Sequence, residues 1–263
     1  MSDNSIKLRI KNNIATIYFN RPEQHNVINY DGWMKLKNTV EQIQLNKNIK
    51  VLILRGEGNQ AFSAGADIKD FHLSRNNSKQ AKIYSKAFDG SMDAIEDLNI
   101  PTISMIEGFC IGGGCEVSTT TDIRIASVTS KFGIPVAKLG ISIGYREMRR
   151  LVNLIGPGNT SYILFSGKII DSNEALKMGL INFIVKSSKI EQFTYELANN
   201  ISELAPLSHM QHKKTLKKVL RDPNLQNLTD EDNNFPFEVF DSSDFHLGKD
   251  AFINKKMPKF QGD

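Results

Sequence analysis

Cysteine is nearly absent from this chain: Cys110 and Cys115 are its only two, and both fall in one Gly-rich segment. That spacing argues against a disulfide framework and for a reducing, cytoplasmic setting. Long apolar runs are missing as well. The most apolar stretches, such as Val51-Leu52-Ile53-Leu54, last about four to five residues, too few to span a bilayer. Met1 to Phe19 holds no apolar block of the kind that marks a secretory leader, and Gln261-Gly262-Asp263 is not a peroxisomal address. Neither charge sign dominates: 33 Lys and Arg face 29 Asp and Glu, a net +4, which excludes histone-like chains and acidic tails yet leaves room for an anionic ligand. The five histidines (His25, His72, His209, His212, His246) include no HExxH, and His209 and His212 have no Cys or acidic partner nearby, so no metal site is expected.

What is present is a chain of 263 residues, 40% of them apolar, enough to bury a core without staples. Lys7–Ile10 and Ile14–Phe19 read as strands joined around Asn12-Asn13. From Tyr30 to Leu45 the set Trp33, Leu36, Val40, Ile43 recurs at helical spacing. Val51–Leu54, closed by Gly56 and Gly58, reads as a strand covered on both faces. Strand and helix then alternate: a helix near Ser78–Asp97, a strand at Thr102–Ile106, a helix opened by Gly112-Gly113-Gly114, and a strand at Asp122–Ala126. This is the pattern of an α/β architecture. The second half is mostly helical, with expected helices at Tyr145–Ile155, Gly158–Phe165, Ser172–Met178, Ile190–Leu204, Pro206–Leu220, Asp230–Phe240 and Ser243–Asn254 and one strand at Leu180–Val185. An organisational boundary falls near residue 200.

Three motifs compete. Gly56-Glu57-Gly58-Asn59-Gln60-Ala61 fits a dinucleotide fingerprint after a strand. However, no apolar-periodic helix follows it, and no acid lies between Asp70 and Asp89 to hold a ribose. Gly140-Ile141-Ser142-Ile143-Gly144 fits a nucleophile elbow, with acids and His246 following in triad order. Here Pro135 sits where an elbow needs a central strand, so serine hydrolysis through Ser142 stands as a rival only. The third is a pair of Gly-rich segments, Ser63-Ala64-Gly65-Ala66-Asp67 and Gly108 to Glu116. A turn that bares backbone N–H groups and a helix start with its positive dipole end make two halves of a site for an oxyanion.

These residues resemble the enoyl-CoA hydratase/isomerase family, the crotonase superfamily. The likeness rests on Asn20-Arg21-Pro22 with Asn26, Phe62 to Asp67, Ile100-Pro101 with Gly108 to Glu116, Asp122, Glu174-Ala175 with Met178-Gly179-Leu180, and a tail from Phe240 to Phe260. The resemblance implies a spiral of ββα repeats over residues 1–200. It implies a C-terminal helical region over 201–263 that forms trimers, often doubled to hexamers. It implies an acyl-CoA substrate, with coenzyme A as part of that substrate and no separate cofactor, and oxyanion amides at Ala66 and Gly113. Ala64 and Ile68 would hold the adenine, and Arg21, Lys69 and a neighbouring subunit's Lys255 would meet CoA phosphates; Asp67 and Gly112 belong to the same CoA-binding stretch. Glu116 matches the first of the two family glutamates of the hydratases. The second is replaced, because Pro135 is followed by Val136, which moves no proton. Tyr145 and Glu147, and less so Asp70, are the candidate substitutes. Hydration or dehydration of a 2-enoyl-CoA leads. Ala205-Pro206-Leu207 and Asp241 to Phe245 also resemble methylmalonyl-CoA decarboxylases, which carry His where this chain has Ala66. The lost glutamate together with the basic stripe Lys213, Lys214, Lys217, Lys218, Arg221 raises a non-catalytic, RNA-binding alternative. No membrane association is expected.

Overall fold

The computed structural model describes residues 4–263; the first three residues of the N-terminal unit lie outside it. β1 (Ile6–Lys11) and β2 (Ile14–Phe19) form the expected hairpin, with Asn12 at φ 54° in the turn. α1 (Tyr30–Leu45) starts where Asn29 accepts the Gly32 N–H, and it buries the expected Trp33, Leu36, Val40 and Ile43. Three turns of one pattern follow. The first is β3 (Val51–Gly56), β4 (Ala61–Ser63), then α2 (Phe71–Ser74) and α3 (Ser78–Glu96). The second is β5 (Thr102–Ile106), β6 (Phe109–Ile111), α4 (Gly113–Ser118), and the third is β7 (Ile123–Ser127), β8 (Lys131–Gly133), α5 (Tyr145–Ser166). The chain continues through β9 (Ile170–Asp171), α6 (Ser172–Met178), β10 (Phe183–Val185), α7 (Ile190–Ser202), α8 (Pro206–Arg221), α9 (Asp230–Asn234) and α10 (Ser243–Ile253).

Each turn gives its long strand to one sheet, ordered β1-β2-β3-β5-β7-β10, and its short strand to a second, ordered β4-β6-β8-β9. Among the described residues only the β1–β2 and β8–β9 pairs are antiparallel. The fold is thus the α/β spiral of ββα repeats. The large sheet explains the unbroken apolar run of β3: Leu52 and Leu54 enter the main core with Trp33 and Phe62, while Val51 and Ile53 pack with Ile190 and Ala198 of α7 on the opposite face.

Local departures from the expected elements have local causes. The two helices expected at 145–155 and 158–165 are present as two segments of α5, broken where expected by the non-helical Gly156 (φ 73°, ψ 165°) ahead of Pro157. The helix expected at 230–240 stays α only to Asn234, and Phe235–Asp241, which contains Pro236, tightens to 3-10 geometry. Only Phe183–Val185 of the expected strand 180–185 pairs with the sheet.

Helix α8 corrects the reading of its basic stripe. Lys213 Nζ lies 2.7 Å from Asp122 Oδ2 and donates to the Ile100 carbonyl at 2.9 Å, while Lys217 meets Asp97 at 3.0 Å and Lys218 meets Asp232 at 2.6 Å. Lys214 stands over the Phe235 ring. Lys213 and Lys217 fasten α8 to the spiral and Lys218 and Lys214 brace it within the tail, so most of the stripe is engaged by the protein's own groups. Both cysteines are free and buried, and no helix among the described residues is long and apolar enough to cross a membrane.

Helix α4 sits so close to β4 that a Cβ on Gly114 would lie 2.2 Å from the Ser63 carbonyl oxygen. Gly114→Ala is therefore expected to force the two apart and lower stability by about 1–3 kcal/mol, read as a fall in the urea midpoint.

Candidate active site

The site is built from backbone first. Ile28 N–H donates to the Gly65 carbonyl at 2.8 Å, and Asp67 N–H donates to the Ile28 carbonyl at 3.0 Å. These two bonds form a single parallel bridge that turns the intervening Ala66 N–H the other way. Gly113 opens α4, so its N–H has no partner within the helix. A Cβ on Gly113 would lie 3.6 Å from the Ala66 nitrogen, which places the two amides side by side. Among the described residues neither N–H has a protein acceptor. Gly65 makes the approach possible: its φ is +89°, and a Cβ there would stand 2.8 Å from Gly113 N and 2.7 Å from the Ile111 carbonyl.

Ala66 and Gly113 both line a cleft of about 190 Å³ between α3, α4, the start of α5 and the loop that holds Val136. Glu116, one helical turn from Gly113, lines it and is only 6% exposed. Its carboxyl has no hydrogen bond or ion pair among the described residues. Burial, reinforced by the neighbouring Glu147 carboxylate and opposed by Arg75, pushes its pKa up to about 8.

Glu147 lines the cleft from the first turn of α5. Its Oε2 folds over Gly144, where a Cβ would meet it at 2.7 Å, and its Oε1 lies 3.8 Å from Arg150 Nη1. Burial and the adjacent Asp89 carboxyl raise its pKa. Arg150, itself buried, reaches Asp93 at 2.6 Å and Glu96 at 2.8 Å on α3, with Arg146–Asp93 and Arg149–Glu96 pairs alongside. This ionic seam holds α5 against α3 and so sets Glu147 opposite Glu116.

The cleft therefore gathers Ala64, Ala66, Ile68, Gly112, Gly113, Glu116 and Glu147, with Val136 in its wall. Tyr145 does not join them. It is 96% exposed, because two residues along a helix turn the side chain about 200° away from Glu147. Lys69 and Lys255 are exposed outside the cleft. Arg21 is spoken for: Nη1 meets Asp67 Oδ2 at 2.9 Å and Nη2 donates to Gln24 Oε1 at 2.6 Å. Asp67 also accepts the Lys69 N–H at 3.1 Å, so Arg21 and Asp67 brace the loop that holds Ala66 and offset each other's charge. Asp70 accepts the Tyr30 N–H at 3.4 Å and lies outside the cleft.

Ser142 lines the cleft without a histidine there; His246 packs on Phe245 in α10, so no hydrolase triad is assembled. After Gly56-x-Gly58 the chain enters β4, not a helix, which removes the dinucleotide reading. Among the described residues no group of three or more His, Cys, Asp and Glu is placed to hold a metal. Sequence reading missed Arg75, Tyr84, Phe88 and Asp89, all lining the cleft. Tyr84 and Phe88, four residues apart on α3, carried a helical signal for a buried face.

A ββα spiral with paired amides above a buried carboxyl defines a crotonase-fold protein, and comparison with known proteins agrees. The family model described as enoyl-CoA hydratase/isomerase matches residues 9–263. The chain is 30% identical to the short-chain-enoyl-CoA hydratase of Clostridium acetobutylicum, covering 97% of each chain. It is likewise 30% identical to the crotonyl-CoA hydratase of Syntrophomonas wolfei, covering 99% of each. The crystal structure of an enoyl-CoA hydratase/carnithine racemase from Magnetospirillum magneticum superposes with TM-score 0.96 at 32% identity, covering 100% of this chain and 97% of that one. This chain belongs to the enoyl-CoA hydratase/isomerase family.

Glu116 also gives a stability prediction. Its folded pKa of about 8 lies above its ordinary value of 4.5, so between these limits the folded chain binds more protons than the unfolded one, and stability falls as pH rises through that window. Glu116→Gln removes this loss. The variant is expected to match wild type near the lower limit and to exceed it by on the order of 1–3 kcal/mol at about pH 9, measured by urea titration at both pH values.

Proposed function

We propose that this protein adds water across the double bond of short 2-enoyl-CoA thioesters, and the reverse, with Glu116 and Glu147 sharing the proton transfers. The observation that carries this reading is the meeting, in one cleft, of two unpartnered amides, Ala66 and Gly113, with two buried carboxyls. The amides hold the thioester oxygen as it gains negative charge, where preorganised donors act most strongly. Glu147, faced by Arg150, takes a proton from water, whose oxygen then bonds to C3 of the acyl chain. Glu116, kept protonated near neutral pH, gives its proton to C2, and the enolate collapses to the 3-hydroxyacyl thioester. Proton exchange between the two carboxyls restores the starting state. On this reading Val136 shapes the acyl pocket, and Glu147 reaches from the following helix to supply what the Pro135-Val136 step has lost.

CoA enters past Ala64 and Ile68, with the exposed Lys69 beside them for phosphate. The Clostridium and Syntrophomonas relatives, named for short-chain and crotonyl substrates, support the same acyl class.

The helical tail supports self-association. Among the described residues, no hydrophobic side chain beyond Ala198 is buried, while Leu216, Phe237, Phe240, Phe252 and Met257 are exposed. A second copy is the natural cover for such a surface. Light scattering is expected to give three or six times the 29.5 kDa chain mass; a monomer would refute the assembly.

The catalytic reading is tested with crotonyl-CoA. Glu116→Gln and Glu147→Gln are each expected to lower kcat by about 10²–10⁴-fold. A Glu116→Gln enzyme with wild-type turnover would overturn the assignment, and a wild-type enzyme that hydrates neither crotonyl-CoA nor glutaconyl-CoA would overturn the reaction.

A further inference from the structure

The cleft holds a cation that hydration leaves unused. Arg75 follows α2, and its guanidinium carbon stands 4.7 Å from the ring centres of both Phe71 and Tyr84. Tyr84 is fixed in turn, buried and accepting the Trp33 indole N–H at 2.7 Å. Two aromatic rings thus support the guanidinium at the wall of the cavity that Gly113 and Glu116 also line. Among the described residues its side chain has no hydrogen bond and no ion pair. Arg21, Arg55, Arg146, Arg149 and Arg150 each meet a carboxylate, and Arg124 is spent on carbonyl oxygens.

A guanidinium keeps its charge at every working pH and presents five donors in a planar fork suited to a carboxylate. The acidic groups sharing the cavity, Asp89, Glu116 and Glu147, leave the fork unengaged. Burial holds Glu116 toward its neutral form, which lessens its repulsion of an incoming anion. Arg75 is within electrostatic reach of Glu116, whose carboxyl it pulls down against the effect of burial.

We propose that Arg75 selects acyl groups that end in a carboxylate, so that the preferred substrates are CoA monothioesters of unsaturated dicarboxylic acids. The inference rests on the CoA-thioester reading above and refines its substrate class. The free carboxylate pairs with the fork at one end of the cleft while the thioester oxygen sits on Ala66 and Gly113 at the other. Such a site discriminates, because a neutral acyl end leaves the guanidinium desolvated and unpaired.

The test separates binding from turnover. Calorimetry on wild type, Arg75→Met and Arg75→Lys uses glutaryl-CoA and pentanoyl-CoA, saturated thioesters of equal carbon count that cannot be hydrated. Wild type is expected to bind glutaryl-CoA at least about tenfold tighter; Arg75→Met should abolish that preference while leaving pentanoyl-CoA within about threefold, and Arg75→Lys should restore part of it. Absence of a preference in wild type overturns the proposal. So does an equal loss on both thioesters, which would make Arg75 a contact for CoA phosphate or a structural residue. If the binding preference holds but glutaconyl-CoA is not hydrated, the hydratase reading fails and the acyl selectivity stands. If neither thioester binds, both fall.

Discussion

The site depends on two stretches of backbone that approach to contact distance at Gly65 and Gly113. Side chains normally keep segments of chain apart by several ångströms, and here no Cβ intervenes on either side. The bridge to Ile28 orients one amide, the helix start frees the other, and Gly114 lets the whole of α4 close on β4. Donors assembled this way need no reorganisation when charge develops near them, because their direction is fixed by the packing of the two sheets.

Around that rigid backbone pair, the charged groups are set by competition between burial and partners. Glu116 has burial and no partner, and its proton is held tightly. Glu147 has a cation close by and a second carboxyl beside it. Arg75 rests on rings instead of an anion. The chemistry available to the cleft follows from these unequal balances more than from residue identity: three carboxyls and one guanidinium share a small volume without forming one ion pair among themselves. On the proposed reading, a proton-accepting group has moved from a loop position, now Val136, to the first turn of the next helix. There Gly144 leaves space for the Glu147 carboxylate and α3 supplies the counter-charges.

Much of this was legible in the sequence where a pattern was long enough to repeat. The stripe of α1, the buried run of β3 and the Gly-rich pair around Ala66 and Gly113 all carried their meaning in residue type and spacing. The second sheet did not, because strands of two to three residues such as β4, β6, β8 and β9 are too short for any alternation to register. The candidates for the missing second glutamate were Tyr145, Glu147 and, less so, Asp70; that only Glu147 of the three lines the cleft depends on the angle of α5, which the sequence does not show. Arg75 and Asp89 were invisible because they sit in a polar stretch whose charges look solvated until the spiral folds them inward. The basic residues of α8 misled for the converse reason: a linear stripe of lysines does not show the acids that Asp97, Asp122 and Asp232 bring from elsewhere.

Arg150 binds Asp93 and Glu96 from one helix and faces Glu147 in its own, so a single side chain secures a helix and also counters, in small part, the rise that burial and Asp89 impose on the Glu147 carboxyl. Fold integrity and proton affinity are therefore not separable traits here. Sequence drift at this position would need simultaneous compensation on two fronts, and a mutational scan would find it intolerant although it touches no ligand. The protein's capacity to vary is limited as much by this shared anchor as by the groups that meet substrate.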